Sequence, residues 1–285
     1  CTMGGYGVRR YLLLLALVLA LLPAGAPGRA EGSVPFRMVG QIGGATTCVA
    51  VRGPYAYVGV GLRLEVLDVS NPAQMRPVGA TAPFSHFVEG VALDLARPYA
   101  YVAAGGAGLR VVDVSRPTNP VEIGAWDSPG YAEGVAISAT TAYLADGPYG
   151  LRCVDLSDPR HPRPLGAAYD MNYAFDVAIV MAEGGQAGQP RAGQPRPYAC
   201  VAAAGAGLLI VDVSDPVHPR ELGTLDTPGY AYGVAVVGST AYVADAWGGL
   251  RLVDIADPAR PRETGHCDMP GWALGVAVAA GRAYV

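Results

Sequence analysis

Five aspartates recur at the end of one short apolar segment, and their carboxylates are the first candidates for chemistry. The segments LEVLD, LRVVD, LRCVD, LLIVD and LRLVD end at Asp68, Asp113, Asp155, Asp212 and Asp254. Carboxylates gathered in a ring can bind a metal ion or move protons. Each of these residues, however, comes one residue before a turn sequence such as Ser-Asp-Pro, where a carboxylate accepts hydrogen bonds from nearby backbone N–H groups. We therefore expect the five aspartates to hold turns.

The other reactive residue types give no recognisable catalytic or metal-binding motif. His161 and His218 occupy matching places in DPRHPR and DPVHPR, and the order of the repeat puts them in separate units. The chain has no G-x-S-x-G, H-E-x-x-H or P-loop sequence and no calcium loop. The sequence therefore predicts no catalytic residues, no metal and no cofactor. An enzyme with an unrecognised site, such as a lyase, a lactonase or a quinoprotein-like enzyme, is kept as an alternative, because loops near a common axis can bring carboxylates together.

Aromatic and acidic residues in two sets of loops are the best candidates for ligand binding. An aromatic ring stands four residues before a recurring Val, at Phe87, Tyr131, Tyr173, Tyr230 and Trp272. Two residues before that Val the residue type varies, as Thr47, Glu89, Glu133, Phe175, Tyr232 and Leu274. The second set of loops adds Tyr149 and Trp247, with Asp146 and Asp245 beside them.

Tyr149 and Trp247 are the most informative of these candidates, since the equivalent loops AAGGAG and AAAGAG carry no aromatic residue. The rings at the repeated positions are also explained by packing between units. The ligand-contacting residues predicted from the sequence are Tyr149, Trp247, Asp146, Asp245, Glu89, Glu133, Tyr232, Tyr131, Tyr173, Tyr230 and Trp272.

The elements that position these residues form a repeat of about 42 residues. Each unit holds four short runs rich in Val, Ile, Leu and Tyr, which are of strand length and are separated by turn residues. Four strands in a unit of this length are typical of one blade of a β-propeller. The sequence predicts an all-β propeller of four-stranded blades, with five near-complete blades and a truncated sixth. The small first strands, such as Gly134-Val135-Ala136, are expected to lie innermost, where backbones crowd around the axis.

The repeated segments resemble the LVIVD repeat family, since Leu208-Leu209-Ile210-Val211-Asp212 matches that name in four of five letters. The resemblance extends over roughly residues 35–285. The resemblance implies that the repeats form propeller blades and that the protein is a bacterial or archaeal cell-surface protein. It implies no catalytic residues.

The N-terminal sequence is typical of an export signal. Arg9 and Arg10 precede a 12-residue apolar run, Tyr11 to Leu22, and a small-residue region with a cleavage site at Gly28-Arg29-Ala30 follows. The domain organisation predicted is a signal peptide at 1–30 and a propeller at 31–285, with an uncleaved signal anchor as the alternative. The run is short for a transmembrane helix. We expect an extracytoplasmic protein: secreted, periplasmic or at the cell surface.

Two irregularities interrupt the repeat. Residues 183–197 contain AGQPR twice and fall between a first and a second strand, where a flexible low-complexity insertion is expected. The chain stops at Val285, midway through a sixth unit, and VPFRMVGQ at 34–41 resembles an isolated fourth strand, so a truncated gene or fragment is expected.

Composition narrows the class of partner. The net charge is −4 and all 20 basic residues are Arg, with no basic run, which argues against nucleic acid. Cys48, Cys153, Cys200 and Cys267 occur singly and predict no disulfide framework. The function expected is a binding or scaffold module for a protein, a carbohydrate or another envelope component. A structural adhesion array is the third possibility, beside the enzyme.

Overall fold

The computed structural model describes residues 46–169, 171–181 and 197–285, which form 22 strands and one three-residue 3-10 turn at Pro72–Gln74. The first blade consists of β1 (Thr46–Arg52), β2 (Tyr55–Val60), β3 (Arg63–Asp68) and β4 (Arg76–Ala80). The second consists of β5 (Gly90–Leu93), β6 (Tyr99–Ala103), β7 (Leu109–Asp113) and β8 (Val121–Trp126). The third consists of β9 (Gly134–Ser138), β10 (Thr141–Ala145), β11 (Leu151–Asp155) and β12 (Arg163–Ala168).

The remaining strands follow the same plan. The fourth blade consists of β13 (Asp176–Val180), β14 (Tyr198–Ala202), β15 (Leu208–Asp212) and β16 (Arg220–Leu225). The fifth consists of β17 (Gly233–Val237), β18 (Thr240–Ala244), β19 (Leu250–Asp254) and β20 (Arg262–Cys267). A two-stranded sheet of β21 (Ala277–Ala279) and β22 (Arg282–Tyr284) begins a sixth. The predicted all-β propeller of four-stranded blades is confirmed.

Each blade is an antiparallel meander whose first strand faces the first strands of its neighbours. Glycine permits this approach: a Cβ on Gly90 would lie 2.8 Å from the carbonyl oxygen of Glu133, and one on Gly134 would lie 2.9 Å from the Cα of Asp176. The first strands are therefore innermost, as their small residues predicted.

A row of four paired residues crosses each blade and forms its contact with the next one. In the second blade the row is Ala92, Tyr101, Val111 and Gly124, each directly opposite the next across the ladder. Tyr101 and Val111 are fully buried against residues of the third blade. A Cβ on Gly124 would collide with the carbonyl oxygen of Pro159, in the β11–β12 turn of the third blade. The repeated Tyr and Gly therefore serve inter-blade packing.

The fifth blade carries the same row, and its outer half is more open. Ala235, Tyr242, Leu252 and Gly265 pair in the same order. Tyr242 and Leu252 are partly exposed, whereas their counterparts in the first four blades are buried. Among the described residues, no atom comes within 4 Å of a Cβ placed on Gly265.

The five repeated aspartates hold turns, as predicted. In every copy the Oδ1 atom accepts the backbone N–H two residues further on, at 2.8 to 3.1 Å. Asp68 and Asp212 each also accept the hydroxyl of the following Ser and bind an Arg. His161 and His218 lie in separate blades, and each pairs with the Asp three residues earlier, at 2.8 and 2.9 Å.

The remaining sequence predictions concern the cysteines, the insertion and the N-terminal segments, and several of them fall on residues that the structure does not describe. Cys48, Cys153, Cys200 and Cys267 are free, and burial raises the pKa of the Cys153 and Cys200 thiols to about 12. Residues 183–197, predicted as a flexible insertion, fall between β13 and β14, and all of them except Pro197 lie outside the described residues. The signal at 1–30 and the strand at 34–41 also lie outside them. The described part contains no helix long and apolar enough to span a membrane.

Candidate functional site

Two sets of loops meet on one side of the blades, and we call the surface that they form the aromatic face. One set joins β2 to β3 and its equivalents; the other is the segment that enters each blade before its first strand. Isolated β-bridges join the two sets at Gly105 and Ala132, Gly147 and Ala174, Ala204 and Ala231, and Ala246 and Ala273. The two sets of loops therefore share one face of the propeller.

Entry-segment tyrosines link neighbouring blades on this face. The hydroxyl of Tyr131 donates to Glu89 Oε1 at 2.9 Å, and that of Tyr173 donates to Glu133 Oε1, also at 2.9 Å. Both tyrosine rings pack over glycines in the loop of the preceding blade, at Gly105 and Gly147. These four candidates are half-buried and already engaged with one another, so they form the polar half of the face and also tie its blades together.

The polar series gives way to aromatic contacts at the fourth blade. Phe175 stands where the second and third blades have Glu, and its ring centroid lies 4.5 Å from that of Tyr173. The Tyr232 ring lies on the other side of Phe175, also at 4.5 Å. Phe175 was noted in the sequence as a variable position and was not among the predicted contacts; its place between two candidate tyrosines adds it to them.

Three half-exposed rings form a compact cluster at the fifth blade, and we call Tyr230, Trp247 and Trp272 the three-ring cluster. Their exposed fractions are 42%, 53% and 56%. The Trp247 ring centroid lies 5.0 Å from that of Tyr230 and 5.9 Å from that of Trp272, with ring planes inclined at 60° and 66°. The Trp247 Nε1–H donates to the carbonyl oxygen of Pro228 at 3.1 Å. The structure thus brings three predicted residues from three separate segments together.

Asp146 and Asp245 do not lie on the surface, although their neighbours Tyr149 and Trp247 in the sequence suggested that they would contact a ligand. Both are fully buried. Asp245 accepts the Thr227 hydroxyl at 2.6 Å and the Gly229 N–H at 2.9 Å; Asp146 accepts the equivalent Ser128 hydroxyl and the Gly130 N–H. Burial raises the pKa of both carboxyls, and these hydrogen bonds oppose the shift. The two residues join the two sets of loops from beneath, and we remove them from the ligand contacts.

The blades that lack this carboxylate fill the same place with apolar groups. Ala104 stands where the third blade has Asp146, and it packs in one cluster with Phe84 of its own entry segment. Ala203 similarly clusters with Met171. The Asp occurs only where the entry segment reads Ser-Pro-Gly-Tyr or Thr-Pro-Gly-Tyr. That pairing within the chain was a signal in the sequence that marked the Asp as structural.

Tyr149 lies in the third-blade loop and is 44% exposed. Its loop is held from below by Asp146, as the Trp247 loop is held by Asp245. Tyr149 and Trp247 occupy different places in their loops, the fifth and the fourth, so the two rings are not copies of one another.

No group of three or more metal-ligating side chains occurs among residues 46–169, 171–181 and 197–285. A recess on the opposite rim is lined by Asp212, Ser214, Asp215, His218 and Arg220. Its carboxylates are occupied by bonds within the turn. Among the residues that the structure describes, the exposed aromatic rings are therefore the best candidate for a binding surface.

The fold and these loops define a β-propeller of four-stranded blades whose candidate site is a loop face. A family model described as the LVIVD repeat matches residues 43–81, 95–128, 129–167, 197–227 and 228–269. The chain belongs to the LVIVD repeat family. A search of curated proteins found no match.

Many solved structures are similar to this chain. One is the crystal structure of the computationally designed Ika8 protein, in crystal packing No.1 in P63. It matches with a TM-score of 0.53 and 9% sequence identity, over 84% of this chain and 79% of that chain. At that identity the likeness shows the fold alone.

Proposed function

We propose that this chain is an exported binding module and that the aromatic face is the surface that contacts its ligand. Export is supported by the N-terminal sequence, where Arg9 and Arg10 precede the apolar run Tyr11 to Leu22. A protein, a glycan or another component outside the cytoplasm is the class of ligand that such a location favours.

The single observation that carries the proposal is the exposure of the three-ring cluster. Large aromatic side chains that stay about half exposed and contact one another form an apolar patch, and such patches mark interaction sites. Tyr and Trp also give a large contact area at a small loss of side-chain entropy, which is why they are enriched in binding hot spots.

The fold itself does not require rings at every one of these positions. The loops of the second and fourth blades, residues 103–108 and 202–207, carry no aromatic residue and form the same bridge to the next entry segment. Trp247 and Tyr149 are therefore additions to a loop that is complete without them, which supports a role in recognition.

The enzyme alternative has weaker support from the described residues. Asp146 and Asp245 have a raised pKa, as a general acid would need. Both are fully buried and bound to their own loops, so they are not placed to meet a substrate. A structural adhesion array would give no specific reason for half-exposed rings on the loop side.

A screen of the purified chain against glycans and envelope proteins, followed by loop variants, tests the proposal. Tyr149→Ala and Trp247→Ala should weaken binding of the captured ligand by about tenfold or more, as at interface hot spots. Val237→Ala removes an exposed apolar side chain from the opposite rim and is the control. If both ring variants lose thermal stability and keep full binding, the rings are structural and the proposal fails.

A further inference from the structure

We infer that the ligand of the aromatic face presents an organic cation, an ammonium group with carbon substituents, to the three-ring cluster. This rests on the proposed function and specifies the chemistry of the same site.

About half of each of the three rings is exposed to solvent. Tyr230, Trp247 and Trp272 come from three segments and are inclined to one another at 60° and 66°, so they form a faceted surface rather than a parallel stack. The indole N–H of Trp247 is occupied by the Pro228 carbonyl. What remains of Trp247 for a ligand is mainly ring surface. The face of an aromatic ring carries negative electrostatic potential and attracts cations.

The charges around the cluster favour the same sign of ligand. The segments that carry the rings, residues 226–233, 244–249 and 268–275, contain no Arg, Lys or His. They contain Asp226 and Asp268, which are exposed, and Asp245, which is buried below. The Arg251 side chain approaches Asp245 at 3.6 Å and Glu263 at 3.3 Å, and it is 11% exposed. A cation therefore meets no exposed positive charge on these segments.

A second aromatic pair in the chain is already filled by an internal cation. The guanidinium carbon of Arg152 lies 5.8 Å from the Trp126 ring centroid and 5.3 Å from that of Tyr169. Among the described residues, no Arg lies over a ring of the three-ring cluster in this way. The three-ring cluster therefore has the same kind of aromatic surface that binds Arg152 at Trp126 and Tyr169. In the cluster this surface is left for a cation of the ligand.

The test compares choline with 3,3-dimethylbutan-1-ol, a neutral molecule of the same shape, by titration of the purified chain and tryptophan fluorescence. Choline should bind about fivefold or more tightly than the neutral isostere, the gain expected of a cation over aromatic rings. Trp247→Ala and Trp272→Ala should abolish that preference, and Val237→Ala should keep it. A trimethyl-lysine peptide and phosphocholine vesicles, compared in the same assay, distinguish a protein source of the cation from a lipid source.

The outcomes separate this inference from the proposed function. Equal affinity for choline and its isostere, or binding of neutral glycans alone through the same rings, would overturn the inference and leave a binding face in place. Full retention of captured-ligand binding by Trp247→Ala and Trp272→Ala, with choline bound elsewhere, would overturn both.

Discussion

The indole N–H of Trp247 donates to the carbonyl oxygen of Pro228 at 3.1 Å and joins the β18–β19 loop to the segment that enters the fifth blade. One layer below, Asp245 joins the same two segments through Thr227 and Gly229. The loop and the entry segment therefore behave as one unit that presents Tyr230 beside Trp247. On the aromatic face, the loops of the third and fifth blades are thus held to their entry segments by the buried carboxylates Asp146 and Asp245.

Asp245→Ala should lower the free energy of unfolding by about 1–3 kcal/mol, because it leaves the buried Thr227 hydroxyl and Gly229 N–H without an acceptor. Asp146→Ala should cost a similar amount through Ser128 and Gly130. Denaturant unfolding measures both values. The double variant Asp245→Ala/Thr227→Val should lose less than the sum of the two single changes. Unchanged stability in both Asp variants would show that the carboxylates do not hold the loops.

Gly124→Ala and Gly265→Ala test the inter-blade row with matched positions. The added methyl at 124 would collide with the Pro159 carbonyl oxygen, whereas no described atom lies near position 265. Overpacking of this kind costs about 1–3 kcal/mol. The melting temperature should therefore fall for Gly124→Ala and stay nearly constant for Gly265→Ala. Equal losses in the two variants would mean that the row does not define the contact between blades.

Asp68 and the two buried loop carboxylates, Asp146 and Asp245, should respond to pH with opposite signs. Hydrogen bonds from Ser70 and Arg76 lower the pKa of Asp68 from 3.8 to about 2. Asp68 therefore stabilises the fold above its unfolded pKa, and that contribution is lost as pH falls from 3.8 toward 2. Burial raises the pKa of Asp146 and Asp245, so their ionisation opposes folding as pH rises above the unfolded value.

NMR titration of the Asp68 carboxyl carbon checks the first sign. The stability difference between the wild type and Asp68→Asn should be full at neutral pH and should shrink as the pH falls toward 2. A titration midpoint near the ordinary Asp value, or a difference that does not change with pH, would contradict the role given to Ser70 and Arg76.

Replacing residues 183–197 with a short Gly-containing turn should leave stability within about 1 kcal/mol of the wild type, since loop length affects closure entropy weakly. The strands on either side are paired as far as Val180 and Tyr198, and the fifth blade makes the same connection with Gly238 and Ser239. Thermal unfolding of the shortened chain measures the effect. An insoluble or strongly destabilised product would show that the insertion packs against the blades.

The repeat was enough to predict the fold, because the strand period, the Gly of each row and the Asp before each turn recur with the same physical task. The turn role of Asp212 could be predicted from the Ser-Asp-Pro sequence that follows it. Interactions between blades were harder to predict from the sequence. The bond between Tyr131 and Glu89 joins residues 42 positions apart, and nothing in either segment specifies it.

In the candidate site, too, features of a single loop could be predicted from the sequence, whereas contacts between separate segments could not. Trp247 was predicted as a ligand contact because the equivalent loops of other repeats carry no aromatic residue. Its packing against Trp272 could not be predicted, since the two residues lie in different repeats. Asp245 was predicted as a contact because an acid beside an exposed ring suggests recognition. Its burial follows from Thr227 and Gly229, which are 18 and 16 residues earlier in the chain.

Hydrogen–deuterium exchange of the chain with and without its captured ligand locates the ligand contact without a substitution. We expect added protection in residues 226–232, 244–249 and 268–274, with the turns after β7, β15 and β19 unchanged. Protection confined to those turns, with the three-ring segments exchanging as in the free chain, would show that the ligand binds the opposite rim and that the aromatic face is not the binding surface.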